Sequence, residues 1–168
     1  MALYLITGIA GFIGSSLARA LVSRGEQVRG VDNFSTGKRE NLKFAAGNSN
    51  LEIIEGDIRD AGTVTAAMAG VDGVFHEAAL VSVPKSVEEP ALSFDINVRG
   101  TFTVFDAARQ AGVRRVVYAS SAAVYGDNQH LPLSETAAPI PPVKAWQKGS
   151  QDRSLNRVAQ QVVISEAA

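Results

Sequence analysis

The chain has 168 residues, of which 46% are hydrophobic, and its formal net charge at pH 7 is −1. This length and composition are typical of one globular domain with a sizeable core. The near-neutral charge argues against nucleic-acid binding driven by phosphate contacts, and the absence of cysteine excludes a disulfide framework and a thiolate metal site.

The first predicted element is a strand over residues 2–7, which begins almost at the N-terminus. No basic segment followed by a long apolar core precedes it, so no secretory signal is visible. No apolar run elsewhere approaches the ~20 residues that span a membrane. We therefore expect a cytoplasmic protein that binds neither membrane nor nucleic acid, and we predict no metal site.

A glycine-rich turn follows this strand and leads into a predicted helix over 12–24. The helix carries an apolar stripe of Ile13, Leu17, Leu21 and Val22 at helical spacing. A strand, a glycine turn and a helix start bind the pyrophosphate of a dinucleotide, because the helix N-terminus offers free N–H groups and partial positive charge. The glycines permit the tight turn, the approach of the phosphate to the backbone and close helix–strand packing. The segment reads Thr7-Gly8-Ile9-Ala10-Gly11-Phe12-Ile13-Gly14.

An acidic residue, Asp32, ends the second apolar run, over 27–31, about 20 residues beyond the glycine turn. A carboxylate at this place accepts hydrogen bonds from a ribose 2′-OH and repels a 2′-phosphate, which predicts NAD rather than NADP. Alternatively, Asp32 caps a turn in which Asn33 and Ser35 are ordinary turn formers.

Strand and helix patterns alternate along the chain. This alternation predicts an α/β fold, a doubly wound parallel sheet with helices on both faces. Ligands bind at the carboxyl ends of such strands, so the polar residues there should line one crevice. The apolar runs lie at 2–7, 27–31, 51–55, 72–76 and 114–119, and the helical patterns near 12–24, 61–69 and 95–111. The strand ends carry Asp32, Asp57, His76-Glu77-Ala78-Ala79 and Ser120-Ser121.

Glycines and aromatic residues give further detail of the helices. Gly25 and Gly112 are suited to the position just beyond the end of a helix. Four apolar residues form a stripe at helical spacing along the long predicted helix, for which we expect core packing, with a subunit interface as the alternative. The stripe consists of Phe94, Val98, Phe102 and Phe105.

These features together resemble the extended short-chain dehydrogenase/reductases, in particular the NAD-dependent nucleotide-sugar epimerase/dehydratase family. The resemblance covers residues 2–143, and it is specific because many motifs occur in one order. Besides the glycine turn, the motifs are Asp32-Asn33, Gly56-Asp57-Ile58, His76-Glu77-Ala78-Ala79, Asn97-Val98-Arg99-Gly100-Thr101 and Ser120-Ser121-Ala122-Ala123-Val124-Tyr125-Gly126.

The resemblance implies a Rossmann domain that binds NAD, with a role for each matching residue. The glycine turn of Gly8, Gly11 and Gly14, with the backbone of Phe12 and Ile13, would bind the pyrophosphate. Ser121 matches the serine of the family's catalytic serine–tyrosine–lysine set, and its hydroxyl would bond the sugar oxygen at the carbon that exchanges hydride. The adenosine ribose would lie at Asp32, Asn33 and Ser35, the adenine at Asp57 and Ile58, and the path to the nicotinamide at Ala78, Ala79 and Leu80, braced by Asn97.

Structural alternatives remain open for several of these residues. Asp57 could cap the following turn, and Ser120 and Ser121 could be turn formers. For His76 we favour a hydrogen-bonded residue at a strand end over a catalyst, because the sequence identifies no carboxylate or serine partner.

The residues after the serine favour epimerases within the family. Dehydratases place acids there, whereas this chain has Ala122 and Ala123, which cannot donate or accept protons. In the mechanism that the resemblance implies, a base takes the sugar 4-OH proton, C4 gives hydride to NAD, and hydride returns to the other face of the 4-keto sugar.

The family's base, a tyrosine followed four residues later by a lysine, has no counterpart. The positions correspond to Trp146 and Ser150, and an indole N–H has no proton chemistry near neutral pH. We expect the family domain to end at Val143 and residues 144–168 to be a non-family tail with a helix over about 152–166. On the resemblance, we expect this chain to lack the family's substrate domain, and the abrupt end of the match suggests a frame change or truncation as a hypothesis.

Three functions follow as hypotheses. The first is a nucleotide-sugar 4-epimerase-like protein, with a UDP-sugar as partner and a homodimer as an open question; the second is an NAD-binding module without turnover. The third is an NADP-linked reductase, which Lys38 and Arg39 could support by attracting a 2′-phosphate and which Asp32 disfavours.

Overall fold

The computed structural model describes residues 1–120, 125, 132–134, 136 and 137. The serine assigned to catalysis, Ser121, lies outside these residues, as do Trp146, Ser150 and the helix expected over 152–166. Their predictions therefore remain predictions.

The centre of the fold is a five-stranded sheet in which every pairing is parallel. The strand order is β3-β2-β1-β4-β5, so the chain builds one side of β1 and then crosses to the other. This arrangement confirms the predicted Rossmann-type α/β fold. The strands are β1 Leu3–Thr7, β2 Gln27–Asp32, β3 Leu51–Glu55, β4 Gly73–His76 and β5 Arg115–Tyr118.

Helices connect the strands, and the last connection is the longest. The first two predicted helices are found, as α1 Phe12–Ser23 and α2 Ala61–Ala67. A 3₁₀ helix, Arg39–Ala45, precedes β3, and two short helices, α3 Val83–Glu88 and α4 Pro90–Phe94, follow β4; none of these three was predicted. A π-helix, Asp95–Gly100, then leads into α5 Thr101–Gln110.

Two hydrophobic cores lie on the two faces of the sheet. Successive residues of a strand point to opposite faces, and accordingly Leu5 belongs to one core and Ile6 to the other. The Leu5 core contains Val64 of α2 and Val104 of α5. The Ile6 core contains Ala18 of α1. The sheet is therefore buried on both faces, as a parallel sheet must be.

The aromatic stripe is only partly a core feature, so the expectation of core packing is wrong for two of its members. Phe94 is 50% exposed and Phe102 is 69% exposed. Phe105 packs as expected, with its ring centroid 5.2 Å from that of Tyr118. The buried face of α5 is formed by Thr101, Val104, Ala107 and Ala108, so Phe102 lies beside it, and the buried residue of α4 is Ser93 rather than Phe94.

The two glycines expected beyond helix ends are found there. Gly25 and Gly112 follow α1 and α5 with φ of 81° and 71°, a left-handed conformation that favours glycine. Among the described residues, none of the helices has the length and apolar character required to cross a bilayer.

Candidate functional site

A cavity of about 600 Å³ opens at the carboxyl ends of the strands. Its volume is in the range of small-molecule and cofactor sites, ~300–1,000 Å³. All fourteen residues that the sequence assigns to cofactor binding line it: Gly8, Gly11, Phe12, Ile13, Gly14, Asp32, Asn33, Ser35, Asp57, Ile58, Ala78, Ala79, Leu80 and Asn97.

The glycine turn is packed too closely for side chains at two of its positions. Gly8 has φ of 69°, and a Cβ there would lie 2.8 Å from the backbone nitrogen of Ala78. A Cβ on Gly14 would overlap the carbonyl oxygen of Gly8. The turn is closed by a hydrogen bond of 3.0 Å from the Gly11 N–H to the Gly8 carbonyl. Glycine at position 8 therefore lets the turn approach the segment after β4, and glycine at position 14 lets α1 approach the turn.

The N-terminus of α1 is open towards the cavity. Gly11 is the N-cap, no side chain caps the helix, and its first turn contains no acidic residue. The side chain of Phe12 is 86% exposed, so it leaves the backbone at the helix start accessible. Uncapped N–H groups and the positive end of the helix dipole together suit an anion.

Asp32 fills one of the two roles considered for it, that of a turn cap, and its carboxylate also lies in the lining of the cavity. It is 9% exposed, and Oδ1 accepts a hydrogen bond of 2.8 Å from the Phe34 N–H, which makes it a turn cap. Oδ2 accepts a second bond, of 2.9 Å, from the Ala10 N–H in the glycine turn. Each carboxylate oxygen offers two acceptor positions, so capacity remains for a ligand hydroxyl in the cavity.

Asp57 is held by an arginine and by a neighbouring strand end. Its carboxylate accepts bonds from the Arg59 N–H at 2.9 Å, from Arg59 Nη2 at 2.8 Å and from Asn33 Nδ2 at 3.0 Å. The Arg59 guanidinium holds the pKa of Asp57 well below its usual range. Arg59 also contacts Asp95 of the π-helix at 3.1 Å. Asp57 thus caps its turn, as the structural alternative supposed, and remains charged beside the cavity.

His76 has the hydrogen-bonded surroundings that we favoured over a catalytic role. It is 4% exposed, with Nδ1 2.6 Å from Thr7 Oγ1 and Nε2 2.9 Å from Thr101 Oγ1. Burial lowers its pKa from 6.5 to about 4, so the ring is neutral at physiological pH.

The segment that follows β4 is clamped by the π-helix. Asn97 Oδ1 accepts from the Leu80 N–H at 2.7 Å, and Asn97 Nδ2 donates to the Leu80 carbonyl at 3.0 Å. This two-point contact gives Asn97 the bracing position that the resemblance implied. A π-helical turn at such a residue is common at functional sites.

Several residues that line the cavity were given no individual role from the sequence, although Glu77 was expected at the strand ends that form the crevice. Glu77 is half-buried beside the cavity, and burial raises the pKa of its carboxyl. Gly37 approaches Asp32 so closely that a Cβ would lie 2.9 Å from Oδ1. The Ser-Thr-Gly turn signal at 35–37 was present in the sequence, but its packing onto Asp32 was not readable. The remaining unassigned lining includes Thr36, Gly56, Val81, Val83, Ile96 and Thr101.

Comparison with known proteins identifies the same group of enzymes. A family model described as the NAD dependent epimerase/dehydratase family matches residues 4–162. This match reaches past Val143, and the domain boundary expected there stays a prediction. A UDP-glucose 4-epimerase from Mycolicibacterium smegmatis is 42% identical over 148 residues, which are 86% of this chain and 47% of that protein.

Solved structures agree with the sequence comparison. A Thermus thermophilus UDP-glucose 4-epimerase in complex with NAD has a TM-score of 0.75 at 34% identity, covering 94% of this chain and 47% of that one. A double mutant of a dTDP-glucose 4,6-dehydratase from Streptomyces venezuelae, with NAD bound, has a TM-score of 0.79 at 32% identity, covering 95% and 48%. The chain thus spans less than half the length of these relatives.

Proposed function

Because the chain belongs to the NAD-dependent epimerase/dehydratase family, we propose that it binds NAD in this cavity as the cofactor domain of a nucleotide-sugar 4-epimerase. The observation that carries the proposal is the shared position of an uncapped helix N-terminus and a buried carboxylate with free acceptor capacity. A dinucleotide needs both, one for its pyrophosphate and one for its adenosine ribose.

The residues present fit the cofactor along the whole cavity. The backbone of Phe12 and Ile13 would bind the pyrophosphate, and Asp32, Asn33 and Ser35 the adenosine ribose. Asp57 and Ile58 would lie against the adenine. The segment Ala78, Ala79 and Leu80, braced by Asn97, would line the nicotinamide end.

Electrostatics supports NAD over NADP. Asp32 would oppose a 2′-phosphate. The guanidinium of Arg39, one of the two cations that could attract that phosphate, lies 2.5 Å from Glu55 Oε2 and 3.9 Å from the centroid of the Phe34 ring. Its charge is therefore partly neutralised, which weighs against the NADP-linked reductase.

The reaction of the proposed epimerase is hydride exchange at sugar C4. Bound NAD would supply the hydride acceptor and donor. Ser121 would hold the C4 oxygen by a hydrogen bond. Ala122 and Ala123 lack acid–base groups, which supports 4-epimerisation of a UDP-sugar over dehydration.

We propose that the chain by itself binds NAD without turnover. In the sequence pattern, Trp146 and Ser150 would correspond to the family's tyrosine and lysine, and neither side chain can remove the 4-OH proton near neutral pH. The loss of a general base alone costs ~10²–10⁴ in rate.

Calorimetric titration of the purified chain with NAD and with NADP tests the binding proposal, and incubation with UDP-glucose or UDP-N-acetylglucosamine tests the absence of turnover. We expect NAD binding, weaker NADP binding and no epimerised product. Equal affinities for the two cofactors would contradict the proposed role of Asp32. Measurable turnover would contradict the proposal that Trp146 replaces the family's catalytic tyrosine.

A further inference from the structure

Three buried side chains, those of Thr7, His76 and Thr101, together with the main-chain carbonyl and the side chain of Asn97, connect the two ends of the segment Ala78–Leu80. Thr7 lies on β1, His76 on β4, Asn97 in the π-helix and Thr101 at the start of α5. All four are buried. Since a buried polar group without a partner is costly, the arrangement of their hydrogen bonds is strongly determined.

The direction of each hydrogen bond follows from the donors available. Thr101 Oγ1 donates its proton to the Asn97 carbonyl at 2.7 Å, so it must accept at His76 Nε2, 2.9 Å away. The ring is therefore protonated at Nε2, and Nδ1 accepts from the Thr7 hydroxyl at 2.6 Å. Thr7 Oγ1 in turn accepts from the Ala78 N–H at 3.3 Å.

Both ends of this chain of bonds meet the same backbone segment. Ala78 is bonded to Thr7, and Leu80 is bonded through both its N–H and its carbonyl to the Asn97 side chain. The imidazole is the link that joins the Thr7 end to the Thr101–Asn97 end. Without it, each end of the segment would be held by a separate element of the fold.

We propose that His76 is a positioning residue that, through Thr7 and Thr101, fixes the backbone of Ala78–Leu80 for the nicotinamide half of the cofactor. This inference rests on the proposed function only because it names NAD as the ligand that the segment contacts. It assigns no proton transfer to the imidazole.

Isosteric variants at the two threonines test the link without large changes of volume. Thr101→Val and Thr7→Val remove one hydroxyl each, while Thr101→Ser and Thr7→Ser keep it and are the matched controls. The first measurement is amide hydrogen exchange of the ligand-free protein. We expect Thr101→Val to speed exchange at the Ala78 amide, and Thr7→Val at the Leu80 amide, by about tenfold, with little change in the serine variants.

The second measurement compares NAD with ADP, which lacks the nicotinamide half. Each valine variant should bind NAD about tenfold more weakly and ADP almost unchanged, because only the nicotinamide end loses its fixed backbone. A merely structural effect would weaken both ligands equally.

The outcomes separate this proposal from the proposed function. Failure of the unmodified chain to bind NAD would overturn the proposed function, while the exchange measurement would still decide the role of His76. Unchanged exchange at the distant amide, or equal loss of NAD and ADP affinity, would overturn the positioning role alone. Because the threonine variants keep the imidazole in place, the test does not depend on whether a His76 variant folds.

Discussion

The carboxylate of Asp32 stabilises two turns at once. Its oxygens accept from the N–H groups of Ala10 and Phe34, so it stabilises the glycine turn and its own turn before any ligand arrives. The sequence predicted a ribose contact or a turn cap as alternatives. The structure shows that the cap is present and leaves room for the ribose contact.

Substitution of Asp32 should therefore affect both fold and cofactor preference. We expect Asp32→Ala to narrow the ratio of NAD to NADP affinity and to lower the free energy of unfolding by about 1–3 kcal/mol, because the buried Ala10 N–H loses its acceptor. Calorimetry and denaturant unfolding measure the two effects. Asp60→Ala, which removes the cap of α2, is the control: it should lower the free energy of unfolding and leave the ratio of NAD to NADP affinity unchanged.

Protonation of His76 should make stability depend on pH. The folded state holds its pKa at about 4, below the unfolded value of 6.5, so the unfolded chain takes up a proton first as pH falls. Stability should be complete above pH 6.5 and be lost progressively towards pH 4, by about 3 kcal/mol. Glu77, whose pKa burial raises, acts in the opposite direction near the lower end of this range.

Denaturant unfolding at several pH values, for the unmodified chain and for His76→Gln, isolates this contribution. The difference in free energy of unfolding between the two proteins should shrink as the pH falls from 6.5 to 4. A difference that is constant over this range would show that the ring is already protonated in the folded state or equally titrated in both states.

At the scale of elements, two glycines of the glycine turn have different functions: we expect Gly11 to matter for cofactor binding and Gly14 for stability. A Cβ at Gly11 would meet only the Gly8 carbonyl oxygen, at 3.2 Å, whereas a Cβ at Gly14 overlaps the backbone of Gly8 and Ile9. We expect Gly11→Val to abolish NAD binding, since its branched side chain would occupy the space of the pyrophosphate, and to keep most of the stability.

Gly14→Ala should affect stability more than it affects NAD binding. It should lower the free energy of unfolding by about 1–3 kcal/mol, because backbone must move to admit one methyl group. Thermal unfolding with and without NAD measures both variants. Equal destabilisation by Gly11→Val and Gly14→Ala would contradict this division.

Phe94 and Phe102, which precede and follow the π-helix in the chain, are both exposed. We expect a second copy of the chain to cover them, which was the alternative that the sequence offered for this stripe. Phe102→Asp should then shift the protein to monomer without loss of stability, because the side chain is 69% exposed. Sedimentation measures the mass, with Phe105→Asp as a destabilising contrast. A monomeric unmodified chain at all concentrations would contradict the expectation.

The success of the sequence patterns differs among these elements for physical reasons. The five strands are short segments rich in apolar and β-branched residues, so all five were located within one residue at each end. The helices α3 and α4 are only six and five residues long, with Pro84 and Pro90 in their first turns, so their apolar pattern is too short to detect. Helical spacing alone also does not fix which face of α5 is buried, and the structure buries Thr101 and Val104 while Phe102 is exposed.

The same contrast holds for the site. Motif residues at strand ends were predictable, because parallel strands present their carboxyl ends at one edge. The His76 link was not, since it joins Thr7 and Thr101, residues far apart in sequence whose hydroxyl directions depend on tertiary packing. Likewise, Arg59 carries no motif signal, although it ties Asp57 to Asp95.

At the scale of the whole molecule, the strand order has a consequence for synthesis on the ribosome. β1 is made first yet ends in the centre of the sheet, between β2 and β4. One of its edges must therefore stay unpaired until β4, Gly73–His76, has been made. An unpaired edge is a template for association with other chains. We expect nascent chains released before residue 73 to aggregate and those released after β5 to remain dispersed, which sedimentation of stalled translation products would show.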